Sequence, residues 1–462
     1  MKHPVGLLMM VVGMPFLYAD SSFFCPCSHA SLQGGCAKIN ITPPLGIPLI
    51  GSKGKPSDVI LDELYAKALV LSDGRTILAI VSADLLYTPL EEITQPVRKI
   101  IQDKTGIPEQ NVLVCATHTH SGPEVFTLSK LPPEQRIDPL KLDQPYLQTL
   151  NRKIADAVFL AQQKMETVKI GASVGSAPEL LFNRRTKKPD GSVLTTFSVP
   201  AETATTRKIE IGQDGTTSVS FTLTGTNSDM KFGPVDPRVW ILRVEDADGS
   251  PIGALLNFAC HPVCIYPSMP TTVSADYPGD AMEVVEQTEG GVCLFTLGTA
   301  GDMVPYQRGL AAHRQLGRAL GGEAVRRLQF IGTSDTASLD AIRKEIQFPA
   351  KKTESSDGSN QSDAAQEVIR SEIQVLRIGE IVILGLPGEV LAEVGLEIRK
   401  RANIDNLVIV SLSNDIIGYV CHAEAYEEGG YESGSATHLA KGAGEILIRK
   451  SLELISRIRQ PK

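Results

Sequence analysis

Basic clusters are missing from this chain. No dense run of lysine and arginine occurs in its 462 residues, and acidic side chains outnumber basic ones, 53 to 45, giving a net charge of −8. A nucleic-acid backbone finds no electrostatic footprint here, which argues against nucleic acid as a partner. Aromatic residues are also few, at 5% with a single tryptophan, and that argues against a base-stacking surface. After the N-terminus no second long apolar segment follows, and no internal repeat is found. Cysteine is sparse, with eight in all. Cys25, Cys27 and Cys36 cluster near the N-terminus, where an oxidising compartment would let them pair. Cys115, Cys260, Cys264, Cys293 and Cys421 lie in or beside apolar runs and read as small buried hydrophobes.

What is present describes a large globular protein. Hydrophobic residues make up 42% of the chain, and mean hydropathy is near zero. That composition can bury a substantial core, as one large α/β domain or two smaller ones. The N-terminus reads as an export signal: Lys2 and His3 precede an apolar run from Gly6 to Tyr18, and Leu17-Tyr18-Ala19 offers a cleavage site before Asp20. The run is too short for a confident membrane span, although an uncleaved anchor is the alternative. Cys25 lacks the small-residue context of a lipoprotein signal. The expected organisation is a signal over 1–19, a linker or tail over 20–36, and one domain over 37–462, secreted or periplasmic.

Strand-like runs recur at Ala37–Pro44, Ala66–Leu71, Ile77–Ser82, Val112–Ala116, Trp240–Val244, Ala254–Phe258, Cys293–Leu297 and Ile381–Leu386. Between them, Leu90–Lys104, Tyr146–Met165, Ala311–Phe330 and Val390–Ala402 carry apolar residues at helical spacing. The alternation predicts an α/β fold, with central mixed sheets flanked by helices. Two polar connections, Glu124–Pro145 and Ala350–Ala364, read as loops rather than domain linkers.

The chemistry gathers at strand ends. Val112–Ala116 runs into Thr117-His118-Thr119-His120-Ser121-Gly122-Pro123. On an extended strand His118 and His120 share a face, half of a plausible metal site, or else an ordinary hydrogen-bonded pair. His261 follows another apolar strand and precedes Pro262. It reads as a metal ligand or as a buried histidine bonded to a carbonyl. Alternation turns Cys260 away from it. Glu389 follows Leu386-Pro387-Gly388, either as a hard oxygen ligand at a strand mouth or as a carboxylate in a first helical turn. Tyr419 and Tyr431 lie in Gly-Tyr segments. Tyrosine is a rare ligand because its phenol is mostly protonated near neutrality, so packing is the rival reading. Arg184, in Asn183-Arg184-Arg185, has the geometry to orient a carbonyl or phosphate oxygen. Gly298–Pro305, containing Asp302, is a small-residue turn whose backbone N–H groups can approach a substrate.

The order of these motifs resembles the neutral, non-lysosomal ceramidases, from about Ala37 to Glu453. The shared stretches are AKINITPP at its start, THTHSGP at Thr117–Pro123, FNR at Phe182–Arg184 and DPRVWILRV at Asp236–Val244. NFACHP at Asn257–Pro262, GTAGDMVP at Gly298–Pro305, LPGE at Leu386–Glu389, GYV at Gly418–Val420 and YESG at Tyr431–Gly434 continue the series. The resemblance implies one Zn2+ held by His118, His261, Glu389 and Tyr419. It also implies His120 as a proton-transfer group, Arg184 and Tyr431 around the substrate amide, and a catalytic role at Asp302. It further implies hydrolysis of an N-acyl amide, ceramide-like, with a lipid or small-molecule substrate and peripheral contact with a membrane. The sequence departs from the family at Val304, where ceramidases carry a serine, and in ending soon after the catalytic region. Two other functions stay open: a zinc hydrolase of the same superfamily acting on a different amide or ester, and a silent lipid- or glycan-binding homologue.

Overall fold

Two β-sheets lie face to face in the computed structural model, and helices cover both outer faces. The structure describes Met1 and residues 31–52, 54–266, 268–351 and 367–460. The larger sheet has eight strands: β1 (Gln33–Asn40), β2 (Tyr65–Ser72), β3 (Ile77–Ala83), β4 (Val112–Ala116), β5 (Glu166–Ser176), β6 (Arg238–Asp246), β7 (Pro251–Phe258) and β8 (Val292–Leu297). Their order is β8-β7-β6-β5-β1-β2-β3-β4. Neighbours are antiparallel except at the two edges, where β3 with β4 and β7 with β8 run parallel. The smaller sheet contains β9 (Leu339–Pro349), β10 (Val368–Ile378), β11 (Ile381–Gly385) and β12 (Leu407–Val410), in that order, and only β11 with β12 is parallel.

Side-chain alternation builds the layers. In β4, Leu113 and Cys115 face the smaller sheet, while Val112, Val114 and Ala116 face the helices. In β11, Ile381 and Ile383 face the larger sheet, while Val382 and Leu384 face the other way. Strands buried on both faces carry apolar residues at every position, which is why they read as unbroken hydrophobic runs. Helices α1 (Gln95–Thr105), α2 (Gln144–Gln163), α3 (Asp276–Glu289) and α4 (Leu310–Leu328) cover the larger sheet through residues such as Val97, Ile154, Tyr277 and Leu316. Helices α5 (Ala392–Ala402) and α6 (Ala443–Ile458) cover the smaller one through Val394, Ile398, Leu447 and Leu454. The expected α/β class with mixed sheets and flanking helices is the one observed.

Some boundaries differ from expectation. The first strand begins at Gln33, not Ala37, and Gln33 and Gly34 pair with β5 as well as β2. Gln-Gly-Gly looked like a tail. Gly35 is instead required by packing, because a Cβ there would sit 2.3 Å from the Ala161 carbonyl of α2. The helix expected from Leu90 opens with a separate π-helical turn, Leu90–Thr94, before α1. The helix expected from Val390 starts at Ala392. The export signal, Cys25, Cys27 and the 350–364 loop beyond Lys351 lie outside the described residues. Cys36 is free and buried in β1.

Candidate metal centre

Each parallel strand pair ends at one patch, and the chemistry sits there, at carboxyl ends of strands where α/β sheets place their sites. His118 follows β4, but not on an extended strand. Its backbone is left-handed, with φ of 72°, a conformation that costs a non-glycine residue about 1–2 kcal/mol. Surrounding hydrogen bonds hold it there: its N–H donates to the Leu85 carbonyl at 2.9 Å, and its Nδ1 faces the Leu86 carbonyl at 3.0 Å. Strand alternation is therefore not what brings His118 and His120 together. The turn does so, with ring centroids 4.8 Å apart.

His261 arrives from β7. Its Nδ1 faces the carbonyls of Ala300 at 2.6 Å and Met303 at 3.2 Å. The Gly298–Pro305 turn thus offers two carbonyls to the site. The Gly301 N–H donates to Val390, and the Gly301 carbonyl accepts from Arg184. Glu389 does not occupy a helical turn. It lies on a two-residue strand, Glu389–Val390, paired in parallel with Tyr419–Val420, so Glu389 and Tyr419 are direct backbone neighbours. Gly388, with φ of 79°, turns the chain into that pairing.

A carbonyl beside each Nδ1 places a proton on that nitrogen, and in the neutral ring Nε2 of His118 and of His261 is then the ligand atom. Both Nε2 atoms point at the same Glu389 oxygen, Oε2, at 3.4 Å from His118 and 3.0 Å from His261. Tyr87 donates to the other oxygen, Oε1, at 2.9 Å. Burial is the largest influence on His261 and brings its pKa down to about 4. Burial also pulls His120 well below the ordinary histidine value, helped by His118 and His261. Burial alone would raise Glu389, but the His118 and His261 contacts outweigh it and hold the carboxyl well below its usual range. Two imidazole Nε2 atoms converging on one carboxylate oxygen make an arrangement that could hold a metal ion. Nε2 of His118 and of His120 is buried without a hydrogen-bond partner. Among the described residues, His118, His120 and His261 form the one group of three whose ligand atoms all lie within 4.8 Å of one another. Backbone carbonyls orienting imidazoles by the far nitrogen are the usual second layer of a metal site, so this donor set fits zinc.

The remaining candidates separate into two groups. Tyr419 is buried, and its hydroxyl accepts from Arg184 Nη2 at 3.1 Å. Burial first, then Glu389, pushes its pKa well above the ordinary phenol value, and a bound cation would act in the opposite sense. Arg184 also donates through Nε to Glu432 at 2.7 Å. Tyr431 stands 5.6 Å from the Tyr419 ring, centroid to centroid. Asp302 is different. Its carboxylate accepts from the Ala392 N–H at 2.8 Å and from the Asn183 amide at 2.9 Å, and it does not line the cavity. It is placed to fix the start of α5 and the Asn183–Arg184 segment. Val304 is fully buried on the short strand Met303–Pro305, opposite Phe182.

A cavity of about 660 Å³ opens over the centre. His120, His261, Arg184, Tyr419, Tyr431, Tyr87 and Arg308 meet at it, and Ile50, Leu86, Leu128, Leu131, Ile137, Phe197 and Val263 supply apolar wall. The stretch read as a bare connection, Glu124–Pro145, contributes several of these residues. No family model matches the sequence. Neutral ceramidase from Pseudomonas aeruginosa superposes with a TM-score of 0.72 over 94% of this chain and 75% of that one, at 18% identity. The fold is that of neutral ceramidase. A second solved structure, a ceramidase complexed with C2, gives a TM-score of 0.71 over 94% of this chain and 76% of its own, also at 18% identity. Four residues of this ceramidase-fold site escaped sequence reading: Tyr87, Tyr266, Arg308 and Glu432. Tyr87 follows β3 just as His118 follows β4, and that strand-end position was the available signal. Tyr266 and Arg308 stand in loops without periodicity, and Glu432 was passed over beside Tyr431.

Proposed function

We propose that this chain is an exported zinc-dependent hydrolase that cleaves an N-acyl amide with water as nucleophile. The observation that carries this reading is the convergence of Nε2 of His118 and of His261 on one oxygen of Glu389 beneath a cavity. His118, His261, Glu389 and Tyr419 would hold the ion. Zinc bound there supplies Lewis acidity towards the scissile carbonyl and towards water.

The rest follows from the chain's own groups. His120, neutral and without a partner on Nε2, takes a proton from the attacking water and returns it to the leaving nitrogen. The arginine at 184 and the phenol of Tyr431 donate to the carbonyl oxygen as it gains charge. The apolar wall accepts an acyl chain and excludes water around it. The likeness in fold to neutral ceramidase supports an acyl amide of that kind. Among the described residues lining the cavity there is no serine, threonine or cysteine. Val304 is packed in the core, so no acyl-enzyme is expected. That same absence favours the second reading, a zinc hydrolase with this site acting on a different amide or ester. No helix among the described residues is long and apolar enough to cross a membrane.

Elemental analysis joined to a substrate panel tests the proposal. Wild type should carry about one zinc per chain, and His261→Ala should carry far less. Ceramide, N-acyl amino acids and simple esters should be compared at equal enzyme concentration. Equal zinc in both proteins removes His261 from the ligand set. Background turnover of every amide beside fast turnover of an ester replaces the amide reading by the second one.

A further inference from the structure

Three arginines line the cavity, and two of them are engaged. Arg184 is tied to Glu432, the Gly301 carbonyl and the Tyr419 hydroxyl. Arg136 stands exposed at the rim, with Nε donating to the Leu131 carbonyl at 2.8 Å. Arg308 has no such partner. It is half-buried on the segment that leads into α4, and its Nε is shut off from solvent with no acceptor in reach. The acidic group that acts on it, Asp276, already accepts from the Ile265 N–H at 2.9 Å and the Tyr277 N–H at 2.7 Å. Burial, then the charge of Arg184, pulls the Arg308 pKa down.

Native interiors rarely leave a buried donor unsatisfied, and a charged one least of all. A guanidinium held this way at a cavity wall is complementary to an oxyanion that enters from outside. Its position says which half of a substrate carries that group. Arg308, Tyr266 and His120 line the same cavity, and Tyr266 stacks over the His120 ring at 5.6 Å. His120 is the group that serves the leaving nitrogen. The apolar residues Leu128, Leu131, Ile137 and Phe197 come from other loops. We propose that Arg308 binds an oxyanion on the amine half of the substrate, so that the site selects N-acyl amines with an apolar tail and an anionic head. This rests on the acyl-amide reading given above.

The test compares dodecanoylglycine with its uncharged counterpart, dodecanoylglycinamide. Dodecanoyltaurine and phosphorylated dodecanoylethanolamine serve as further arms that distinguish carboxylate, sulfonate and phosphate. Wild type should favour a charged head in kcat/KM on the order of 10- to 100-fold, as expected for a hydrogen bond to a charged group. Arg308→Gln should collapse that ratio towards one, and Arg308→Lys should restore part of it. A wild-type ratio of one for every charged head, or an unchanged ratio in Arg308→Gln, overturns the proposal. If no amide is turned over, the acyl-amide reading fails, and Arg308 is judged by calorimetric binding of the same glycine and glycinamide compounds. A preference for the carboxylate in wild type, lost in Arg308→Gln, then supports anion binding. Equal preference in both proteins overturns it.

Discussion

Replacing Glu432 with glutamine tests how the site is braced. Glu432 is fully buried, and its two oxygens take Arg184 Nε at 2.7 Å and Arg185 Nη1 at 2.9 Å. Arg185 has a second carboxylate, Glu428, at 3.1 Å, but Arg184 has none. Burial alone would raise the Glu432 pKa, yet Arg184 and then Arg185 outweigh it and hold the carboxyl below its ordinary value. Glutamine keeps the shape and one acceptor. It also turns an amide NH2 towards a guanidinium and leaves Arg184 buried without a counter-charge. Removing one partner of a buried pair costs about 3–5 kcal/mol. Urea denaturation followed by circular dichroism at neutral pH should show that loss as a lower midpoint at unchanged slope. Glu427→Gln removes the same charge from a solvent-exposed pair with Lys441 and should leave the midpoint where it was. The pH dependence has a definite sign. A carboxyl lowered in the folded state stabilises above its unfolded pKa and loses that contribution as pH falls, so the gap between wild type and Glu432→Gln should narrow below about pH 4. A loss under about 1 kcal/mol, or a gap that widens in acid, refutes the reasoning.

Three further outcomes are expected. His120→Ala should retain most of its zinc while losing activity on the order of 10²-fold; metal loss as complete as in His118→Ala would make His120 a ligand instead. Asp84 is buried, which raises its pKa to about 6 despite Lys67 and the Tyr65 N–H, so the folded state is penalised as pH rises through that value. Asp84→Asn should therefore be more stable than wild type by about 2–3 kcal/mol above pH 6, with the difference vanishing towards pH 4; a constant difference across that range would be contrary. With a slow substrate and rapid quench, intact-protein mass spectrometry should show no acyl adduct, and a fluorophosphonate should not inactivate the enzyme; an adduct mapped to any Ser or Thr contradicts direct attack by water.

Much of this fold was legible because strands buried on both sides announce themselves as apolar runs. Six of the eight runs named from sequence lie wholly within observed strands and the other two overlap one, and the mixed-sheet class followed from their alternation with helices. Other elements hid their nature. β5 mixes Glu166 and Lys169 with glycine, alanine and serine across Glu166–Ser176, and β9 carries Arg343, Lys344 and Glu345 in the middle of its length, so neither reads as core. α3 begins with Asp-Tyr-Pro-Gly, a sequence with turn chemistry rather than helix propensity. At the site, residue types at strand ends were readable, but local geometry was not. No pattern marks His118 as left-handed, and Pro-Gly before Glu389 concealed a parallel pairing with Tyr419, thirty residues on, that only tertiary structure creates. Asp302 stood in a motif of the right order, yet both its oxygens are engaged elsewhere.

The four residues proposed to hold the ion do not come from one layer. His118 and His261 follow strands of the larger sheet, whereas Glu389 follows β11 of the smaller and pairs with Tyr419 in a separate two-stranded ribbon. The donor set straddles a seam closed by interdigitated side chains such as Leu113, Leu255, Leu376, Ile383 and Val408. A slide of one sheet over the other by a fraction of an ångström would alter every ligand distance at once and leave both sheets intact. A metal centre held by these four residues would register the alignment of the two sheets. Mis-seating a seam residue, remote from the cavity and invisible to it, would be registered first as detuned chemistry and only later as lost structure.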